Sequence, residues 1–359
     1  MDKRELSIAQ VREIPKVSLH DHLDGAVRVS TILELSRELN LPVPKQDEAD
    51  LLNWISEKCG RGSLEEYLEV FSLTSSVMQT YDGLKRVARE FVLDCAADGI
   101  IYVECRWAPY AHVRGGLRIE EAVEAVSHGL KEGELLVSKS GRVIFAKQIF
   151  CALRHENHSL DLAKLALLRR DQGVVGFDLA GPEQGFPPSF HSEALELLNK
   201  ENFPVTIHAG EADGVESIQG ALTDGYARRI GHGVRIASDI KREGKKYKFG
   251  NVASQVHDRG IVLELAPRSN LQTNASIEFG ESLANHPFNL LYQLGFAVTV
   301  NPDNRLMSNT SVTEELYDLS RINGYTLEDL KVFQHNALRS AFGDLETLVE
   351  CRLLLQTHG

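Results

Sequence analysis

Three histidines and one aspartate lie at the ends of separate apolar runs, and together they offer the donor set of a divalent-metal site. His20 and His22 close Lys-Val-Ser-Leu-His-Asp-His, His208 closes Phe-Pro-Val-Thr-Ile-His, and Asp303 closes Ala-Val-Thr-Val-Asn-Pro-Asp. On a strand, side chains at i and i+2 share a face, so His20 and His22 can reach one ion. Three imidazoles and a carboxylate suit zinc or a neighbouring divalent metal and leave a position for water. Two proton-handling groups accompany them. Glu211 follows in His208-Ala209-Gly210-Glu211, and His232 stands between Gly231 and Gly233 at another strand end. An imidazole titrates near neutral pH, whereas a carboxylic acid that donates there needs an apolar, water-poor pocket to raise its pKa. Plainer readings exist for each member: half-buried histidines in one case, a helix-start carboxylate for Glu211 in the other. Of 13 histidines, four fall at such positions, while others such as His128 and His358 sit in helical or terminal contexts. The convergence is what argues for a site.

Only a fold that gathers strand ends around one axis could unite residues so far apart, and a (β/α)₈ TIM barrel does this with its chemistry at the carboxyl ends of the strands. Short β-type runs alternate with helical patterns from end to end, as βα units require. The strands are expected near 16–22, 100–108, 143–152, 174–180, 203–209, 229–232, 261–266 and 297–303. Helical patterns run from Ile119 to Leu130, from Leu160 to Arg170, and through Ser192-Glu193-Ala194-Leu195, where Ser192 could cap. The interval between the first two strands is too long for one crossover. It holds patterns at Thr31 to Leu39, Leu64 to Gln79 and Tyr81 to Ala96, which predict an inserted helical subdomain over about 30–96 at the barrel mouth. With no repeat, low-complexity segment or Pro/Ser-rich linker, residues 1–359 read as one domain.

Composition narrows the partners. Hydrophobic content of 43% and a formal charge of −12 describe a globular chain unsuited to nucleic-acid binding. The basic stretch Lys241 to Lys248 reads as a solvated loop or helix end. No apolar run is long enough for a membrane span, and Asp2, Lys3, Arg4 and Glu5 do not open a secretory signal. The five cysteines are scattered without a Cys-x-x-Cys pair, as in a reduced, cytoplasmic protein.

The motifs Ser18-Leu-His-Asp-His-Leu-Asp-Gly-Ala26, Asp178-Leu-Ala-Gly-Pro-Glu183, His208-Ala-Gly-Glu211, Arg229-Ile-Gly-His-Gly233, Ala266-Pro-Arg-Ser-Asn270 and Asn301-Pro-Asp-Asn304 occur in that order. In this set the chain resembles the adenosine deaminases of the amidohydrolase superfamily. The resemblance implies a zinc-dependent enzyme of purine salvage, one Zn²⁺ per chain, converting adenosine and 2′-deoxyadenosine to inosine or 2′-deoxyinosine and ammonia. It implies His20, His22, His208 and Asp303 as zinc ligands, His232 as the base holding hydroxide against the purine, and protonated Glu211 as the acid toward N1. It further implies that Gly181 offers its N–H to N3, that Asp24 binds the ribose 5′-hydroxyl, and that Leu64, Tyr67 and Leu68 form an apolar lid at i, i+3 and i+4.

The chain departs from the family pattern at four points. Asn304 replaces a second aspartate, and its amide can still donate to N7. Pro302 stiffens the turn before Asp303, Arg268 stands where threonine is frequent, and Ala108 where several relatives have serine. Rival readings are the same chemistry on adenine or a modified adenosine, a catalytically silent purine-binding relative, and a barrel hydrolase with a second metal on a modified lysine, for which Lys147 is the candidate. Oligomeric state and protein partners leave no trace in the sequence.

Overall fold

A computed structural model of the chain describes residues 5–60 and 64–357, without the side chains of Leu64, Glu65, Tyr67 and Leu68. Its strands are β1 (Lys16–His22), β2 (Ile100–Trp107), β3 (Phe145–Leu153), β4 (Val174–Ala180), β5 (Val205–Ala209), β6 (Arg229–His232), β7 (Ile240–Glu243), β8 (Lys246–Phe249), β9 (Val262–Leu265) and β10 (Val298–Val300). Eight of them pair in parallel in the order β1-β2-β3-β4-β5-β6-β9-β10. These are the eight expected strands, with ends shifted by a few residues. Helices follow the strands and cover the outside, so both faces of each strand are buried and its sequence is continuously apolar except where a polar residue has a task.

The ring closes by unusual means. No regular ladder joins β10 to β1. Asp21 and Asp303 form an isolated parallel bridge, in which Asp303 N–H donates to His20 O at 3.1 Å and His22 N–H to Asp303 O at 2.8 Å. Below it, Asn301 Oδ1 accepts from the N–H of Leu19 (3.0 Å) and His20 (3.2 Å), and Gln334 Oε1 accepts from Val17 N–H at 2.9 Å. Side-chain amides thus satisfy strand groups that a missing ladder would leave buried and unpaired.

Between β1 and β2 the helices Val29–Glu38, Glu48–Cys59, Leu64–Ser76 and Tyr81–Ala97 form the expected insertion, one more helix than the three patterns named. The additional one is capped by Asp47, whose carboxylate accepts from Ala49 and Asp50 N–H. Ser192 is the first residue of its helix, and no side chain caps that end. The basic stretch is neither loop nor helix end but the exposed antiparallel hairpin β7–β8, which sets Lys241 directly opposite Lys248.

One buried carboxyl carries a pH signature. Glu315, in the helix Val312–Asn323, is pushed up to about 8 by burial, against the lowering effect of Arg268. The folded state therefore holds a proton that the unfolded chain has lost, and stability falls as pH rises from the ordinary glutamate range towards 8, by at most about 1.4 kcal/mol per pH unit. Glu315→Gln is expected to flatten this fall, so that the variant gains on the parent at pH 8 relative to pH 5 in paired denaturant titrations.

Candidate active site

Strand alternation aims the first ligands. His20 and His22 face the barrel axis, while Asp21 between them points away and accepts from Arg305 at 2.7 Å. His208 and Asp303 arrive from the ends of β5 and β10, and the four prospective ligand atoms all lie within 4.8 Å of one another. His20 Nε2 is 3.2 Å and His22 Nε2 is 3.3 Å from Asp303 Oδ1, and His22 Nε2 lies 3.3 Å from His208 Nε2. Gly231 makes the approach possible, since a Cβ there would come within 3.1 Å of His208 Cα and 3.2 Å of the His20 ring.

Carboxylates behind the rings fix which nitrogens face inward. His20 Nδ1 lies 3.0 Å from Glu264 Oε2 and His208 Nδ1 2.9 Å from Asp178 Oδ2. Both acids are held well below the usual carboxylate range despite burial, Glu264 by Arg106 and Arg229, Asp178 by His208 and Arg106. They are acceptors, so Nδ1 carries the proton in each ring and the Nε2 lone pairs converge. Burial pushes His20 down to about 4 and His22 to about 3, which keeps both rings neutral. His208 is shifted upward, because Asp178 outweighs its burial. His20 Nε2 is buried without a hydrogen-bond partner. Converging lone pairs around one ionised carboxylate, with an orphaned donor atom among them, fit a divalent cation. Ser269 Oγ donates to Asp303 Oδ2 at 2.6 Å and completes the outer support.

Glu211 and His232 flank this cluster, with His232 Nε2 3.5 Å from Glu211 Oε2. Glu211 is not a helix-start residue, because the next helix begins at Val215. Its loop is clamped by Glu183, whose oxygens accept from the N–H groups of Gly210 (2.8 Å), Glu211 (2.9 Å) and Ala212 (2.7 Å) and from Ser217 Oγ. The tautomer of His232 follows from a chain of bonds that starts at a backbone amide. Phe288 N–H donates to His286 Nδ1 (3.1 Å), so the His286 proton sits on Nε2, 3.2 Å from Asn270 Oδ1. Asn270 then turns its NH₂ toward His232 Nδ1 at 2.9 Å. Neutral His232 therefore holds its proton on Nε2, toward Glu211, and can accept another there only after releasing that one.

Of the remaining candidates, Asp24, Gly181 and Asn304 follow the carboxyl ends of β1, β4 and β10. Asp24 and Asn304 are buried, and Gly181, beyond β4, has φ +89, open to glycine at no steric cost. Burial raises the Asp24 carboxyl, but the nearby His112 imidazole outweighs it and the net shift is downward. The backbone places Leu64, Tyr67 and Leu68 on the helix Leu64–Ser76, and their side chains lie outside the described residues. Arg268 turns away from the mouth to pair with Asp318 at 2.7 Å. Lys147 pairs with Asp344 at 2.9 Å and is absent from the ligand group, which removes the support for a second, lysine-bridged metal. Roles for Asp178, Glu183, Glu264, Asn270 and His286 escaped the sequence reading. An acid inside the apolar run Ile261 to Leu265 was a signal for Glu264; His286 offered none.

A barrel of this topology with a His₃Asp cluster at its strand ends defines a hydrolase of the metal-dependent barrel class. The family model for adenosine deaminase matches residues 15–352. Over 335 residues the chain is 50% identical to adenosine deaminase 1 of Streptomyces coelicolor, covering 93% of this chain and 84% of that one. It is 45% identical over 341 residues to the adenosine deaminase of Mycobacteroides abscessus, covering 94% and 93%. Among solved structures, the N6-methyl-AMP deaminase of Arabidopsis thaliana superposes with a TM-score of 0.81 at 25% identity over 98% of each chain. The adenine deaminase of Arthrobacter aurescens shares the fold with a TM-score of 0.82 at 22% identity, covering 96% of this chain and 98% of that one. The chain belongs to the adenosine deaminase family.

Two outcomes follow from the supports behind the rings. Glu264→Gln is expected to weaken divalent-metal affinity roughly 10–100-fold in chelator competition, since His20 loses its charged acceptor. Asn270→Asp is expected to draw the His232 proton to Nδ1 and lower kcat roughly tenfold or more, with KM little changed.

Proposed function

We propose that this chain hydrolyses the 6-amino group of adenosine and 2′-deoxyadenosine, giving inosine or 2′-deoxyinosine and ammonia. The observation that carries the reading is the meeting of His20, His22, His208 and Asp303 with Glu211 and His232 at one barrel mouth, in a chain of this family. One zinc ion held by the three histidines and Asp303 would supply a Lewis acid that acidifies water near neutral pH.

The protein groups do the rest. Glu211, as the protonated acid, gives its proton to purine N1 and leaves C6 electron-poor. The proton of the adding water passes to the Glu211 carboxylate. His232 aims its Nε2–H at the oxygen that adds to C6, and the Asn270–His286 chain holds that orientation, so the ring enters as a donor before it can serve as a base. As the C6–N bond breaks, Glu211 passes its regained proton to the amino group, which leaves as ammonia, and the C6 hydroxyl returns a proton to Glu211 and becomes the carbonyl. Gly181 offers its N–H to N3, Asn304 its amide to N7, and Asp24 accepts from the ribose 5′-hydroxyl. Leu64, Tyr67 and Leu68 close over the nucleoside and exclude bulk water. Such an activity would serve purine salvage, and five buried cysteines, none in a disulfide, support a reducing, cytoplasmic setting. Among the described residues, no helix is long and apolar enough to cross a membrane.

The ultraviolet shift on deamination tests this with metal-defined protein and a panel of adenosine, 2′-deoxyadenosine and adenine. Both nucleosides are expected to turn over, with loss on chelation, recovery with zinc, and a fall of at least about a hundredfold for Glu211→Gln. Turnover of adenine alone would move the assignment to a base deaminase, and no nucleoside turnover by zinc-loaded protein would overturn it.

A further inference from the structure

Beside the metal-ligand cluster lies a second buried polar pair, Asp24 and His112, of which the proposed reaction uses Asp24 alone. Asp24 follows β1 by two residues, and His112 ends the 3₁₀ turn Pro109–His112 beyond β2. Register between these strands, with His22 opposite Arg106 and Leu23 N–H bonded to Arg106 O at 3.0 Å, brings the two loops together. His112 Nε2 then stands 3.8 Å from Asp24 Oδ2, with the His112 side chain fully buried and that of Asp24 11% exposed. Asp24 Oδ1 and both ring nitrogens of His112 are buried without a hydrogen-bond partner.

Buried polar atoms left in this state cost free energy unless something fills them. The arrangement has a direction. The imidazole, its centroid 5.8 Å from that of the Trp107 ring, stands beside Oδ2, and Oδ1 is left without a partner. An acceptor of this kind takes a neutral hydrogen-bond donor. A phosphate would bring negative charge against a buried carboxylate, with one imidazole to offset it. A hydroxyl, which donates and adds no charge, is the group that fits.

We propose that His112 is a positioning residue for Asp24: it holds Oδ2 so that Oδ1 accepts a hydroxyl at the sugar end of the substrate, and so selects a nucleoside with a free 5′-hydroxyl. This rests on the nucleoside reading given above. His112 touches no reacting atom and acts through Asp24, so its contribution depends on the hydroxyl being present.

The test compares adenosine with 5′-deoxyadenosine in the zinc-loaded parent, His112→Phe and His112→Gln. In the parent, loss of the hydroxyl lowers kcat/KM. In His112→Phe, which keeps a ring and loses the donor, kcat/KM for adenosine is expected to fall roughly tenfold, mostly through KM, while 5′-deoxyadenosine is little affected. His112→Gln restores a donor and recovers part of the preference. If His112→Phe does not fold, His112→Leu carries the same comparison. An equal loss on both substrates, or no loss on either, overturns the role of His112 while the deaminase reading stands. A parent indifferent to the 5′-hydroxyl removes the Asp24 contact and this inference with it, and a parent inactive on adenosine removes the nucleoside reading itself.

Discussion

Two guanidinium groups sealed inside the barrel carry the electrostatics on which the rest depends. Arg106 donates to Asp178 at 3.1 Å, to Glu264 at 2.7 Å and to Leu19 O, and Arg229 donates to Glu264 at 2.6 Å and to Glu104. All five charged side chains are fully buried. Burying charge costs several kcal/mol per ion, so such a network persists only where the hydrogen bonds are nearly complete. Here it ties β1, β2, β4, β6 and β9 to one another. Two of its three carboxylates, Glu264 and Asp178, are the ones that hold His20 and His208. Metal-ligand geometry is thus a by-product of how the barrel neutralises its own interior, and the rings are aimed before any cation arrives.

The backbone makes a parallel commitment. His232 and Asp303 both occupy the left-handed region, at φ +61 and φ +59, where a non-glycine residue costs of order 1 kcal/mol or more. His232 is the last residue of β6 and Asp303 the third beyond β10, where the chain turns while the side chain stays inside the mouth. Pro302 precedes one of them and Gly233, at φ +68, follows the other. Local strain at these two points is held by the surrounding bonds: the Asp303 bridge to β1 on one side, the Asn270 amide on the other.

Much of this was legible in the sequence because a barrel strand buried on both faces cannot hide. Its apolar run stands out, and a histidine or aspartate at the end of such a run is conspicuous. The eight strands, the insertion and the four clustered residues followed from that. The hairpin β7–β8 escaped because its strands are solvated and Lys-rich, with no apolar alternation to mark a period. The supporting shell escaped for another reason. Glu264 stands out as an acid within an apolar run, but the partner that gives it a role, Arg106, lies 158 positions away. His286 and His112 lie in loops where nothing periodic marks them. Partnership across long sequence separations is a property of the closed fold, and one strand read alone does not contain it.

The seam between β10 and β1 has a consequence in time. Leu19 and Asn301, which join across it, are 282 positions apart, and Asp303 is at once the closing bridge and a member of the ligand group. A chain emerging from the ribosome presents His20 and His22 early and Asp303 only after every other strand has been made. Until then the cluster lacks its one carboxylate and the interior has no lid on its last side. The full ligand group therefore exists only once the ring is closed, and a half-made chain has no finished site with which to trap an ion. Such long-range closure makes folding slow and loads its cost on the final step.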